Sequence, residues 1–531
     1  MNEPSEITKY LHQFLYKEFP DVCAKTHITS VTPNQNKFIE NICQILEEAT
    51  QSFKIQPPVW ETLNQTIKGN YFKLIPNEIK NHVNTHPLHG KIIRRSQFTV
   101  SSNNESSSSS SSPPKYTNVN VYFEYFIELD DPPMDKTKMQ LFLDNCLYKI
   151  YLWLYVANKY KQEQCSPELN VYLYLTDLYK LYPHENGDEH KHICGLSQIS
   201  PPIGEINANN GFSFSCVSPE HTQKNEINIY RKEEWFKVLI HETFHAFGMD
   251  YYSNSKLEKM ANEQIMDIFN LSKNTNNVYG NGGFNIFECY TELMAELINV
   301  IIYSFVSSKT TKTKKENLYH KRKFLSIIGL EQTFSLFQCS KILFYHYNKK
   351  GRFPETPEEL FGGLTDFKEN TNLFSYYVLK SILICRLDEF LGWLLRDKDA
   401  NYFDIRFRQT EQNIDEFCHL FSAFSHNSEI TASTDTEKTN KYLFSVFEMF
   451  VWFRNIHNFK LHLCTIKTPI YGRFMSETAG QLCAAEMRKG VKTHNKGFMG
   501  KTHKNAKNKR STVCWTNTLE YKTLRMTILE Y

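Results

Sequence analysis

From Trp235 to Gly248 the chain reads Trp-Phe-Lys-Val-Leu-Ile-His-Glu-Thr-Phe-His-Ala-Phe-Gly, without proline or an interior glycine. Such a run predicts a helix. His241 and His245 stand four residues apart, so at 3.6 residues per turn their side chains share one helix face. Two imidazoles placed in this way can take adjacent corners of a zinc tetrahedron, with Glu242 one residue along and within reach of the same ion. The plain alternative is a buried amphipathic helix whose histidines only satisfy core hydrogen bonds. Accident is a poor explanation, because at this histidine and glutamate content the pattern His-Glu-x-x-His is expected only ~0.04 times in the whole chain.

Length and composition set the frame around that helix. At 531 residues with 14% aromatics, the chain has material for several domains and a sizeable core. A net charge of +3 points to no partner by itself. The 13 cysteines follow no regular spacing and read as scattered reduced thiols rather than a disulfide framework. The start, Met1 to Glu6, lacks the basic and apolar regions of a secretory signal. The longest apolar stretches, Leu293 to Val306 and Phe142 to Ala157, are broken by Glu296 and by Asp144, Asn145 and Lys149, so neither is expected to span a bilayer. These features lead us to expect an intracellular, cytoplasmic protein. The richness in Asn, Lys, Ile, Tyr and Phe fits an AT-rich genome, such as that of a large DNA virus or a protist.

Along the chain, residues 1–98 show helical patterning, for example at Ile7, Tyr10, Leu11, Phe14 and Leu15. A Ser-rich tract over 99–115 reads as a flexible linker and a domain boundary. Strands are expected at Val119–Ile127, Val171–Leu175, Gly211–Ser215 (an edge strand by its alternation) and Glu226–Tyr230, with a long helix at Lys138–Lys159. The last of these strands leads into the histidine helix. The region 318–480 is again mostly helical, and 488–531 opens as a Lys/His/Asn-rich stretch that reads as a basic, disordered tail.

A zinc ion held by two helix histidines needs a third protein ligand. Phe287 to Ile298 is a helical pattern carrying Glu288, Glu292 and Glu296 at i, i+4 and i+8, flanked by Leu293, Met294, Leu297 and Ile298. Carboxylates bordering an apolar surface call for a cation. Together with His241-Glu242-Thr243-Phe244-His245, the segment Glu292-Leu293-Met294-Ala295-Glu296 resembles the second element of the gluzincin zinc metallopeptidases, a helix bearing E-x-x-[A/S]-[D/E]. The resemblance covers residues 241–296 only. It implies an α+β fold with a zincin-like catalytic domain over 116–308, between helical N- and C-terminal regions. It further implies one catalytic zinc held by His241, His245 and Glu292, with Glu296 on the outer nitrogen of a zinc histidine. Glu288 is the alternative ligand, with Glu292 then as its supporting partner. Asp250 is a further alternative, since Gly248 stands where a metzincin would have it but Tyr251 occupies the place of that family's last histidine.

The activity this resemblance implies is peptide hydrolysis, with Glu242 as general base and a Tyr or His donor for the developing oxyanion. Tyr279, Tyr290, Tyr376, Tyr377 and His346 are the candidates for that donor, and Gly211–Ser215 could present an extended peptide by strand addition. The expected partner is therefore a peptide or protein substrate. The contrasting expectation is a catalytically inactive zincin-fold interaction protein whose basic stretch, Arg488 to Arg510, docks nucleic acid or another acidic partner. His184, His190, His192 and Cys194 also cluster, but their spacing fits no standard zinc site and reads as a solvated loop.

Overall fold

The computed structural model describes residues 5–102, 115–127, 135–181, 203–216, 224–250, 255–272, 284–308, 316–396, 403–424, 434–465 and 523–529. Tyr279, the His184–Cys194 cluster and the basic stretch Arg488 to Arg510 lie outside the described residues.

The chain is mixed α+β, with one six-stranded mixed sheet. Its strands are β1 (Glu61–Thr62), β2 (Lys91–Ser102), β3 (Lys115–Phe126), β4 (Glu168–Thr176), β5 (Gly211–Ser213) and β6 (Lys224–Arg231), in the order β1-β2-β3-β4-β6-β5. β3, β4 and β6 run parallel, whereas β2 and β5 pair antiparallel with β3 and β6. The parallel core follows from the sequence: β4 and β6 are buried along nearly their whole length, as strands covered on both faces must be. The Ser-rich tract is not a domain boundary. It connects β2 to β3, which pair over their full lengths from Lys91↔Phe126 to Ser102↔Lys115. Residues 91–98, expected within a helical region, belong to the sheet.

The main helices are α1 (Glu6–Glu18), α2 (Pro33–Ile55), α3 (Lys136–Tyr160), α4 (Trp235–Ala246), α5 (Glu288–Ser308), α6 (Glu316–Lys350), α7 (Lys380–Cys385) and α8 (Thr434–Thr465). β3, α3, β4, β5, β6 and α4 follow one another in the order the strand and helix patterns predict. α4 runs from β6 and ends where Gly248 turns left-handed at φ +63°, a conformation that costs glycine little. α5 lies at the centre of the molecule, buried from Cys289 to Ser308. Among the described residues it is the one helix long and apolar enough to cross a membrane, and its apolar window is wholly covered by the rest of the fold.

Two further expectations are corrected. Among the described residues Cys165 and Cys216 form a disulfide, while Cys23, Cys146, Cys289, Cys339, Cys385 and Cys418 remain thiols, so the cysteines are not uniformly reduced. The chain's end is not all solvated tail either: Leu524, Arg525, Thr527 and Ile528 are completely buried. Glu234 accepts the backbone N–H groups of Met526 (2.7 Å) and Thr527 (2.6 Å), and Glu331 accepts those of Ile528 (2.9 Å) and Leu529 (3.0 Å). A composition dominated by upstream lysines hides this short apolar run.

Candidate metal centre

Helix α4 presents His241 and His245 one turn apart, and the first turn of α5 brings Glu288 to them. The two histidine Nε2 atoms are 3.1 Å apart, and Glu288 Oε2 lies 3.2 Å from His241 Nε2 and 3.8 Å from His245 Nε2. Two His nitrogens and a carboxylate oxygen bound tetrahedrally at ~2.0–2.1 Å would stand about 3.4 Å from one another. The three observed separations bracket that edge length, so the group can hold a metal ion.

The outer nitrogens complete the arrangement. His241 Nδ1 lies 3.1 Å from Glu292 Oε2, and His245 Nδ1 is hydrogen-bonded to Asp250. Ligating histidines need such partners, because the outer hydrogen bond fixes the tautomer and leaves Nε2 free for metal. Asp250 reaches its histidine because Gly248 and Met249 turn the chain back, Gly248 N–H bonding His245 O at 3.1 Å and Met249 N–H bonding Phe244 O at 2.9 Å.

Comparison with family models, with curated proteins and with solved structures found no match.

The geometry of the site distributes the sequence-derived residues differently from the motif. Glu292, expected as third ligand, approaches the opposite nitrogen of His241 and is ion-paired with buried Lys237. Glu296, expected on a histidine, instead ion-pairs with Lys380 at 2.6 Å. Each carboxylate thus sits one helical turn from its expected place, with Glu288 beside the two Nε2 atoms and Glu292 beside His241 Nδ1. Burial favours the neutral forms of these groups, but the charges oppose it. For His241, Glu288 and Glu292 overcome burial and raise its pKa to about 9. Asp250 and Glu288 raise that of His245 to about 10 against the same burial. Glu288 is held below the usual carboxylate range by the two histidines despite its burial, and Glu292 by Lys237 and His241. In Glu296 burial wins over Lys380, pushing it up to about 8.

Glu242 is buried beside the group, and Ser213 Oγ, at the end of edge strand β5, donates to its Oε2 at 2.8 Å and its backbone oxygen at 2.9 Å. Of the oxyanion candidates, Tyr376 is at the centre: its hydroxyl lies 3.3 Å from Glu288 Oε2, and its ring is 6.1 Å from that of His241. A π-helical turn, Phe374–Leu379, places it there just before α7. Tyr290 and Tyr377 are bound elsewhere, donating to Ile405 O and Leu524 O, and His346 packs on Phe367. The residues missed by sequence reading are Lys237, Ser213 as a partner of Glu242, and Met526, which lines the small cavity next to His241 and Glu242. Lys237 carried a signal, because it lies one turn before His241 on the same helix face.

Proposed function

We propose that the chain is a zinc-dependent metallopeptidase with a zincin-like fold, in which His241, His245 and Glu288 hold the ion and Glu242 is the general base. The observation that carries this reading is the three-donor group with a carboxylate on each outer nitrogen and a separate buried carboxylate beside it. The donor set of two imidazoles and one carboxylate suits zinc with a position left open for chemistry. When bound, zinc would supply Lewis acidity and lower the pKa of a water molecule towards ~7.

The remaining work belongs to the chain. Glu242, oriented by Ser213, takes a proton from the attacking water and returns it to the leaving amine. Tyr376 is the donor for the oxyanion that develops on the scissile carbonyl. β5, the terminal strand of the sheet among the described residues, offers its outer edge to an extended peptide. A purely structural metal site would give Glu242 and its Ser213 hydrogen bond no task, which favours catalysis over an inactive interaction protein.

The test pairs metal analysis with hydrolysis. Full-length protein should contain about one zinc per chain and cleave members of a broad peptide library, and Glu242→Gln should keep the zinc while losing ~10²–10⁴-fold in rate. One zinc per chain with no Glu242-dependent cleavage anywhere in the library would sink the proposal.

A further inference from the structure

The C-terminal segment reaches into the site. Beside His241 and Glu242 lies a cavity of about 40 Å³, walled by the charged pair Lys237 and Glu292, by Gly211 of β5, Val238 of α4 and Tyr376 and, from the far end of the sequence, by Met526. Typical ligand pockets are ~300–1,000 Å³, and a single water needs roughly 10–15 Å³ of such space. With space for about three waters, the cavity suits a side chain the size of valine or threonine better than one the size of leucine or phenylalanine.

Its walls are not free to retreat. A Cβ on Gly211 would come within 2.9 Å of both Asn228 O and Val238 Cγ1, so the β5 wall is already at closest packing. Met526 has a fixed backbone: Glu234 holds its N–H, Lys380 its carbonyl, and Tyr377 the carbonyl of Leu524. Its sulfur packs 3.8 Å from Lys237 Nζ, and the residue is 5% exposed. The side chain can be shortened while the backbone anchors remain.

Resting on the metallopeptidase reading, we propose that Met526 is a specificity-determining residue. Through it, the chain's own C-terminal segment closes the pocket beside Glu242 and restricts the substrate side chain seated there to small residues. Met526→Ala removes three non-hydrogen atoms and roughly doubles the capacity of the pocket. Met526→Leu keeps the volume. One methylene too many or too few in such a pocket is worth ~10–200-fold in discrimination.

Two readouts separate this inference from the reading beneath it. In the first, zinc-loaded full-length wild type, Met526→Leu and Met526→Ala are given one randomised peptide library. Wild type and Met526→Leu should cut where one position flanking the scissile bond is Gly, Ala, Ser, Thr or Val, at least ~10-fold faster than with Leu or Phe there. Met526→Ala should accept Leu and Met at that position. In the second, peptides of one scaffold carrying Ala, Leu or Phe at each position in turn are titrated into the metal-free proteins by fluorescence anisotropy. The same preference should appear in wild type and shrink in Met526→Ala. Cleavage by wild type without any small-residue preference overturns the inference, whether or not Met526→Ala folds, and leaves the metallopeptidase reading standing. A preference that Met526→Ala leaves unchanged overturns it as well. Absence of cleavage together with the expected anisotropy pattern supports the pocket assignment and rejects the hydrolytic reading.

Discussion

His241 and His245 each face the proposed metal position with one nitrogen and a carboxylate with the other, Glu292 for His241 and Asp250 for His245. Without metal, these carboxylates and Glu288 raise the pKa values of the two rings to about 9 and about 10 against their burial. A raised folded-state pKa stabilises the metal-free protein fully below the ordinary histidine value, and that contribution is lost as pH rises through about 9 to about 10. Metal must displace the same protons. Zinc uptake at pH 7 should therefore release protons, and affinity should climb with pH until both rings are neutral. Calorimetric titration in two buffers of different ionisation heat counts the protons directly, and no release at pH 7 would contradict the assignment. The roles of the carboxylates separate in the same experiment. Asp250→Asn, which disturbs only an outer hydrogen bond, should weaken zinc by ~10–100-fold. Glu288→Ala, which removes a donor, should weaken it more. If Glu292→Ala proves the worse of the two glutamate substitutions, Glu292 rather than Glu288 is the ligand.

Elements decide which of three equally spaced carboxylates does which task. Glu288, Glu292 and Glu296 share one face of α5, and sequence spacing alone fits either adjacent pair. The choice follows from where α5 begins: Glu288 opens the helix, so the partial positive charge of that end meets its carboxylate, while Glu292 and Glu296 lie deeper against Lys237 and Lys380. Those lysines come from α4 and α7, and pairing across helices leaves no spacing signal in the sequence. The histidine helix, the parallel strands and the edge strand were legible because each carries its own period or apolar run. β2 was not, since a strand that continues into a run of serines offers little alternation to read. The π-helical turn that aims Tyr376 was equally hidden, as its cause lies in packing around it. Gly248, by contrast, can be tested as a single element boundary. It sits at φ +63°, and an added Cβ would lie 2.8 Å from Cys216 Sγ. Gly248→Ala should cost ~1–3 kcal/mol, measured by chemical denaturation, and should loosen zinc because Asp250 follows two residues later. An unchanged unfolding midpoint would show that this turn does not set the end of α4.

At the scale of the whole molecule, the two ends of the chain meet. Thr8 Oγ1 in α1 donates to Ile528 O at 2.6 Å, across a separation of 520 residues. Between them the C-terminal segment occupies a slot lined by buried charges. Leu524 N–H bonds Lys180 O at 3.0 Å, Lys341 reaches Thr523 O at 2.6 Å, and Gln338 reaches Arg525 O at 2.6 Å. Removing the segment would strip the backbone donors from Glu234 and Glu331 and the carbonyl acceptors from Lys341 and Lys380, leaving buried charges short of partners. It would also expose the surface against which Leu524, Met526, Ile528 and Leu529 are buried, at ~1.5–3 kcal/mol each. Those side chains alone sum to about 6–12 kcal/mol, comparable to the ~5–15 kcal/mol by which a folded protein exceeds its unfolded state. A chain ending before Thr523 should therefore fail to give a cooperative melt and should bind little zinc, since Glu234 at the start of α4 loses the two backbone donors of Met526 and Thr527 and keeps only Lys180 and Asn210. A synthetic peptide covering residues 516–531, added in excess, should partially restore both. If the shortened chain instead melts within about 2 °C of the full-length protein, the buried C-terminal segment contributes less than ~2 kcal/mol and cannot be what holds α4 and its histidines in place.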